Sequence, residues 1–447
     1  MTDTADLTAL TDAAERLVSA AKNAGADAAD AVVALGTALS VSVREGKVEE
    51  TERSEAADVG LRVFSGRRSA VVSANLSEDP VALAERAVAM AKVAPEDPFA
   101  GLADPDRLGR TDRDLDLDGG RLPDAASLTE AAHRLEHAMM AVAGVSRSGG
   151  ASASSGSGGV VLVTSDGFSD GYRTTRHGRA ASAIAGGGNR MERDYWAESR
   201  VHLEDLPGEA QIGTRAGERV VRRLEPEKIT TRRGTVVFEP RIAASLVGHL
   251  LGAVNGAAIA RKTSFLRERM GEKILPDGVN VLDDPYKPRG LSSRPFDGEG
   301  IAGEPLALVE DGVLRHWLLD SATARELATV SNARARRGVG APGPGPTNVT
   351  LSSGAISRDT LLRDVGTGLL VTELIGQGVN LVTGDYSRGA AGFWIENGEV
   401  AYPVSEITIA GKLDDMFRAM VMADDLEETR AVNAPTVAIE GMTIAGR

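Results

Sequence analysis

Residues 366–416 alternate short apolar runs with turn residues more densely than any other stretch, which commits the C-terminal part of the chain to antiparallel β-structure. Residues 369–372 and 379–383 read as short strands around a turn at Gly376 and Gly378. Residues 393–396 and 399–404 flank Asn397-Gly398, a pair suited to the positive φ that a type I′ turn needs at both positions. Pro403 cannot donate to a ladder, so its strand lies at an edge or bends there. Residues 384–389 read as a loop that groups Asp385, Ser387 and Arg388 between glycines, where a backbone or ligand can come close.

At 447 residues the chain exceeds one ordinary core and is expected to divide into two or three domains. Upstream of residue 206, helical and strand patterns mix. An apolar stripe at helical spacing runs from Asp3 to Asn23, residues 31–43 alternate as a strand, and further helices are expected over 77–93 and 125–142. The Gly/Ser-biased run 144–159 reads as a mobile loop, followed at once by a strand. A basic helix over 209–224 precedes a change of texture near Thr230, after which short strands and glycine turns dominate. The expected fold class is α+β. An N-terminal α/β domain spans 1–229, and a C-terminal domain of largely antiparallel β-structure with a few helices spans 230–447. Residues 331–348, basic and then Gly/Pro-rich, read as a surface loop or one ordered on binding.

Acidic residues outnumber basic ones, 64 to 50, for a net charge of −14, which argues against nucleic acid or an anionic membrane as partner. The absence of cysteine removes disulfides, thiolate nucleophiles and Cys-liganded zinc. The N-terminus lacks the basic and apolar regions of a signal peptide, and residues 245–260 are too short to span a bilayer. A cytoplasmic protein is the expectation.

Four motifs invite a chemical reading. His133, Glu136 and His137 spell H-x-x-E-H, a zinc pattern. Yet both histidines lie about 160° around the helix from Leu135, on the side away from its apolar stripe, where no third ligand is in view. Gly167-Phe-Ser-Asp-Gly171 matches G-x-S-x-G, but a second strand follows where a nucleophile elbow needs a helix. Gly338-Val-Gly340-Ala-Pro-Gly343 has dinucleotide-loop spacing with prolines where the helix should start. Gly290-Leu-Ser-Ser-Arg-Pro-Phe-Asp-Gly-Glu-Gly300 holds Arg294, Asp297 and Glu299 on a backbone fixed by Pro and Gly, either as the polar wall of a cleft or as an internally paired turn.

That last segment, with Asp283-Asp284-Pro285, Pro346-Thr347-Asn348, Gly384-Asp385-Tyr386-Ser387, Gly392-Phe393, residues 407–416, residues 440–446 and Gly60-Leu-Arg62-Val-Phe64, resembles the TldD/PmbA family and its PmbA (TldE) branch. The resemblance covers nearly the whole chain. It implies a subunit of a cytosolic zinc metallopeptidase, a heterodimer with a TldD-like chain that acts on unfolded or short peptides. In the TldD branch zinc is held by an H-E-x-x-x-H helix and a distant Cys. Aligned on Gly248-His249, this chain has Ala244 and Ser245 where the first His and the Glu belong, and it has no Cys. The resemblance therefore implies a chain with no metal and no catalytic residue of its own, zinc being carried by the partner. Arg294, Asp297, Glu299, Asp385, Ser387, Arg388 and His249 are the expected substrate- or partner-facing residues. Two other readings stay open: a stand-alone metallopeptidase using His133, Glu136 and His137, or a peptide-binding or regulatory protein without peptidase activity.

Overall fold

The computed structural model describes residues 7–446. Its first helix, α1, is Leu7–Asn23; the part of the expected helix before Leu7 lies outside the described residues. Six strands then form one antiparallel sheet: β1 (Ala28–Arg44), β2 (Lys47–Ser65), β3 (Arg68–Asn75), β4 (Val145–Thr164), β5 (Ser169–Ala185) and β6 (Glu192–Arg200), in the order β3-β2-β1-β4-β5-β6. Four of these strands are 17 to 20 residues long, so at about 3.3 Å per residue the sheet is roughly 55 Å from end to end.

Period-two alternation divides its two faces. One face carries Ala29, Ala31, Val33, Leu61 and Val163 at one end, under α1 and α2 (Pro80–Val93). At the other end the same face carries Val41, Val43, Ala151, Ala153 and Ala183, under α3 (Ala125–Met140) and α4 (Glu209–Val221). The second face holds Asp30, Val32, Arg62, Leu162 and Tyr172, and it meets the C-terminal half of the chain.

Residues 144–159 depart from the mobile loop expected of them. They form most of β4, which is laddered to β1 on one side and β5 on the other. Low strand propensity is overridden because the glycines leave room for neighbouring backbone. A Cβ on Gly156 would stand 2.8 Å from the Thr37 carbonyl oxygen, and one on Gly149 would stand 2.8 Å from that of Ser182.

After residue 231 the chain builds a closed ring of five strands. β7 (Arg232–Phe238) pairs in parallel with Gly368–Ile375, and every other contact around the ring, through Asp385–Glu396, Glu399–Lys412 and Val437–Ala445 back to β7, is antiparallel. Val236, Leu369, Trp394, Ile409 and Ile439 pack with helix α5 (Pro240–Ala253) in the largest core. The alternate set, Val237, Leu370, Phe393 and Ala438, packs under Arg358–Val365. A smaller five-stranded sheet is built around Val281–Asp284. Asn397 and Gly398 have φ of 53° and 80°, as the type I′ hairpin requires. Pro403 sits in Glu399–Lys412 outside the stretch paired to Val437–Ala445, and its carbonyl accepts from the Glu227 amide.

Two further expectations are corrected. Asp385, Ser387 and Arg388 lie on strand Asp385–Glu396, not in a loop, because the turn is complete within residues 381–384, closed by Gly384 at φ 74° and by its amide donating to the Asn380 carbonyl at 2.8 Å. Residues 331–348 are not a free surface loop either. Arg334 is fully buried, and a Cβ on Gly60 of β2 would stand 2.0 Å from the Val339 carbonyl oxygen, so the segment is pressed onto the N-terminal sheet.

Candidate functional site

The sequence-predicted polar residues separate into two groups. Arg294, Asp297 and Glu299 lie in the seam between the N-terminal sheet and the C-terminal half. Ser293 anchors their loop by donating to the Lys287 carbonyl at 2.6 Å and accepting from the Asn348 amide at 2.8 Å. Asp297 is buried and accepts from the backbone N–H groups of Glu299, Ile301 and Ala335 at 2.9, 3.0 and 3.1 Å. Burial pushes its carboxyl up, against the pull of the Arg294 guanidinium.

Glu299 accepts from the Ser321 amide at 2.8 Å through Oε2. Its Oε1 has no hydrogen-bond partner and lies 4.0 Å from Arg62 Nη1. Burial, with the charge of Asp297 behind it, pushes the Glu299 carboxyl up to about 7. Arg62 closes on Asp30 Oδ2 through Nε (3.0 Å) and Nη2 (2.5 Å), and Arg337 Nη1 reaches Asp30 Oδ1 at 2.7 Å. Burial alone would raise the Asp30 carboxyl, but the two guanidinium groups outweigh it and hold it low.

Beside this network a cavity of about 40 Å³ opens between Val32, Leu162, Tyr172, Phe296, Arg294 and Arg337. Phe296 packs edge-on against Phe168 and Tyr172, with centroids 5.0 and 5.5 Å apart. Asp30 and Tyr172 are absent from the expected site, Arg62 enters only within the family motif 60–64, and Arg337 only within the basic segment 331–348. The available signal was an acid inside the apolar run Ala28–Leu35 and an arginine inside Val59–Phe64, which a strand tolerates only when the two are paired.

The second group surrounds α5. His249 is half-buried, its ring 5.9 Å from that of Tyr386 and edge-on at 73°. Burial, then the charge of Arg388, lowers its pKa, so it is held as the neutral imidazole. His249 Nε2 and the Tyr386 hydroxyl are both buried without a hydrogen-bond partner. Arg388 Nε donates to the Ile375 carbonyl at 3.5 Å. Asp385 and Ser387 are exposed, and Asp385 is held low first by the Thr383 hydroxyl, which donates to it at 2.6 Å.

The zinc implied by the family resemblance does not fit these donors. Where an H-E-x-x-x-H helix would place His and Glu, α5 has Ala244 and Ser245, and the Ser245 hydroxyl donates to the Ile242 carbonyl at 2.6 Å. One imidazole and a phenol do not make a tetrahedral cage or supply a general base. The H-x-x-E-H helix fares no better. Glu136 is buried, and its two oxygens accept from the Glu45 and Gly46 amides at 2.8 Å each, so it clamps the β1–β2 hairpin while His137 points to solvent. Among the described residues no group of three or more His, Cys, Asp or Glu is placed to hold a metal ion. The G-x-S-x-G run is a hairpin turn into β5, with Gly167 at φ 97°.

Three family models match the chain: the PmbA/TldA metallopeptidase domain 1 over residues 29–91, the central domain over 120–224 and the C-terminal domain over 231–446. The chain is 38% identical to the metalloprotease PmbA of Escherichia coli O157:H7, over 94% of its length and 93% of that protein's. It is 36% identical to the PmbA homolog of Haemophilus influenzae, over 96% and 94%. Among solved structures it is similar to a putative modulator of DNA gyrase from Bacteroides thetaiotaomicron (25% identity, TM-score 0.90, 98% of both chains). It also shares the fold of TldE from Thermococcus kodakarensis (20% identity, TM-score 0.85, 97% of this chain and 99% of that one). No helix among the described residues is long and apolar enough to cross a membrane.

Proposed function

The chain belongs to the PmbA/TldD metallopeptidase family, and from that premise we propose that it is the zinc-free subunit of a two-chain cytoplasmic peptidase acting on unfolded or short peptides. A TldD-like partner supplies the metal, its ligands and the general base. This chain closes the chamber and helps to admit the peptide.

The observation that carries the reading is the content of α5, where His249 is the single metal-capable side chain and its ring is spent on an edge contact with Tyr386. The far end of the N-terminal sheet supports it as well. There the face opposite α3 and α4 presents Gly36, Ala38, Ser40, Ser42, Ser152, Ser154, Gly156 and Gly158 in adjacent register, a smooth floor that leads to a cavity of about 330 Å³ beside Arg193 and Tyr195. A floor without large side chains suits close approach by another backbone.

The test is to purify this chain and a TldD-like chain separately, measure zinc in each, and assay cleavage of an unfolded peptide by each alone and by the mixture. Zinc in the partner and cleavage only by the mixture are expected. A bound equivalent of zinc and full activity in this chain alone would overturn the proposal.

A further inference from the structure

Three arginines in the seam lie close to buried acids, and each can offer its Nε/Nη2 edge, the fork that matches a carboxylate. Arg62 closes that edge on Asp30. Arg334 places Nε on Asp283 at 3.0 Å and Nη2 on the carbonyls of Asp283 and Glu304 at 3.1 and 2.7 Å. Arg294 alone keeps the edge open, with both Nε and Nη2 buried and without a partner. Its nearby acid, Asp297, has spent both oxygens on backbone N–H groups. Arg337, whose side chain is 1% exposed, likewise keeps Nη2 buried and unpartnered.

Both arginines line the cavity of about 40 Å³, with Val32, Val160, Leu162, Tyr172 and Phe296 as apolar walls, and with Gly298 and Asp297, whose oxygens are already bonded to backbone N–H groups, completing the lining. At roughly 10–15 Å³ for a water, that space accommodates one carboxylate group, and the half-buried Arg294, Val160 and Tyr172 mark its open side. Buried donors are expensive to leave unmade, and the apolar walls suit an aliphatic stem behind the charged group. The acids nearest Arg62, Arg294 and Arg337 are Asp30, Asp297 and Glu299, with Asp320 also acting on Arg62 and Asp283 on Arg294, so the case for an anion rests on the unpaired guanidinium donors rather than on net charge.

We propose that Arg294 and Arg337 form a carboxylate-binding subsite between the two halves of the chain, taking a carboxylate on a short aliphatic chain, as at the C-terminus of a peptide or in a small aliphatic acid. Only the peptide source rests on the function proposed above.

The experiment is calorimetric titration of the full chain, without partner, with propionate, with acetyl-Gly-Gly-Val bearing a free carboxylate, and with the C-terminal amide of that peptide. Saturable one-to-one binding of the carboxylates is expected, with the amide weaker by roughly tenfold or more. A peptide that binds roughly tenfold tighter than propionate identifies the source as a peptide terminus; equal affinities identify a small acid. Arg294→Met is expected to lower carboxylate affinity by roughly tenfold or more in a variant that still melts cooperatively, at a temperature lowered by the loss of charge beside Asp297. Arg294→Lys, which keeps the charge and loses the fork, is expected to recover only part of it. An amide that binds as well as the acid, no saturable heat, or undiminished binding by Arg294→Met overturns the proposal. If Arg294→Met does not fold, the acid-against-amide contrast on the unaltered chain decides. Failure of the two-chain cleavage assay would leave this result standing, because no partner is used here.

Discussion

Arg334 and Arg294 sit in adjoining segments, held together where the Gly298 amide donates to the Ala335 carbonyl, and each lies beside a buried acid. Their surroundings differ completely. Arg334 is fully buried, donates to Asp283, Asn332 and Glu304, and faces an acid that also accepts from the Thr347 amide at 2.9 Å and from its hydroxyl. Arg294 and Asp297 share charge without sharing a hydrogen bond, and the guanidinium edge is left open onto a cavity. A fully satisfied buried ion pair fixes how 331–348 docks on the rest of the C-terminal half. Open buried donors beside a cavity instead mark where something else can bind.

The sharpest way to break that contrast is Arg334→Met. It strands Asp283 in a dry site and is expected to cost about 3–5 kcal/mol, measured by chemical denaturation. A loss below about 1 kcal/mol would place Arg334 with Arg294 rather than against it. Glu136 offers the next test, as a carboxylate satisfied by two backbone donors. Glu136→Gln is expected to cost about 2–3 kcal/mol, because an NH₂ group now faces an amide N–H. Destabilisation with unchanged zinc content fits a hairpin clamp; loss of zinc at unchanged stability would revive H-x-x-E-H.

Glu299 sharpens the comparison through pH. Its folded pKa of about 7 lies above the ordinary glutamate value near 4.5, so the folded state binds the extra proton between those limits. Stability therefore falls as pH rises from about 4.5 through about 7, by on the order of 3 kcal/mol, and levels off beyond that. Glu299→Gln, which keeps the Ser321 contact through its amide oxygen, is expected to flatten that slope in melting temperatures taken from pH 5 to 8. An unchanged slope would locate the titration in another group.

Much of the fold was legible because its cues are local. Asn397-Gly398 stands at positive φ where its hairpin turns, and the helix expected over 77–93 forms as Pro80–Val93, its start set by the Asp79 cap rather than at residue 77. Residues 144–159 were misread because composition describes a free chain, whereas two flanking ladders and the space left by glycine decide the folded one. The site was half legible. Arg294, Asp297 and Glu299 stood out by their Pro- and Gly-fixed loop, yet their partners Asp30, Arg62 and Arg337 come from strands and segments far away in sequence. Only the topology brings these together, and a charged residue inside an apolar strand was the one hint of it. Asp385, Ser387 and Arg388 differ from expectation because the turn lies earlier, over residues 381–384, where the Asn380 side chain caps the Val382 amide and Gly384 closes at positive φ.

His249 is the mildest test and bears most directly on the two-chain reading. Replacing it with Leu removes a ring contact worth about 0.5–1.5 kcal/mol and also an imidazole nitrogen that is buried without a partner, so the two effects offset and stability should stay within about 1 kcal/mol. The pH dependence should change more clearly. Burial and Arg388 lower the His249 pKa, so below the ordinary imidazole value near 6.5 the unfolded chain binds the proton and the folded one resists it. Stability of the unaltered chain is then lost as pH falls through that value, and His249→Leu should be spared that part of the loss. Because the ring is engaged by Tyr386 and stands alone among metal-capable groups on α5, the variant paired with a TldD-like chain should keep its zinc and its cleavage rate. If the variant pair loses zinc, His249 is a ligand contributed across the interface, and a chain with no part in holding the metal is no longer a tenable description.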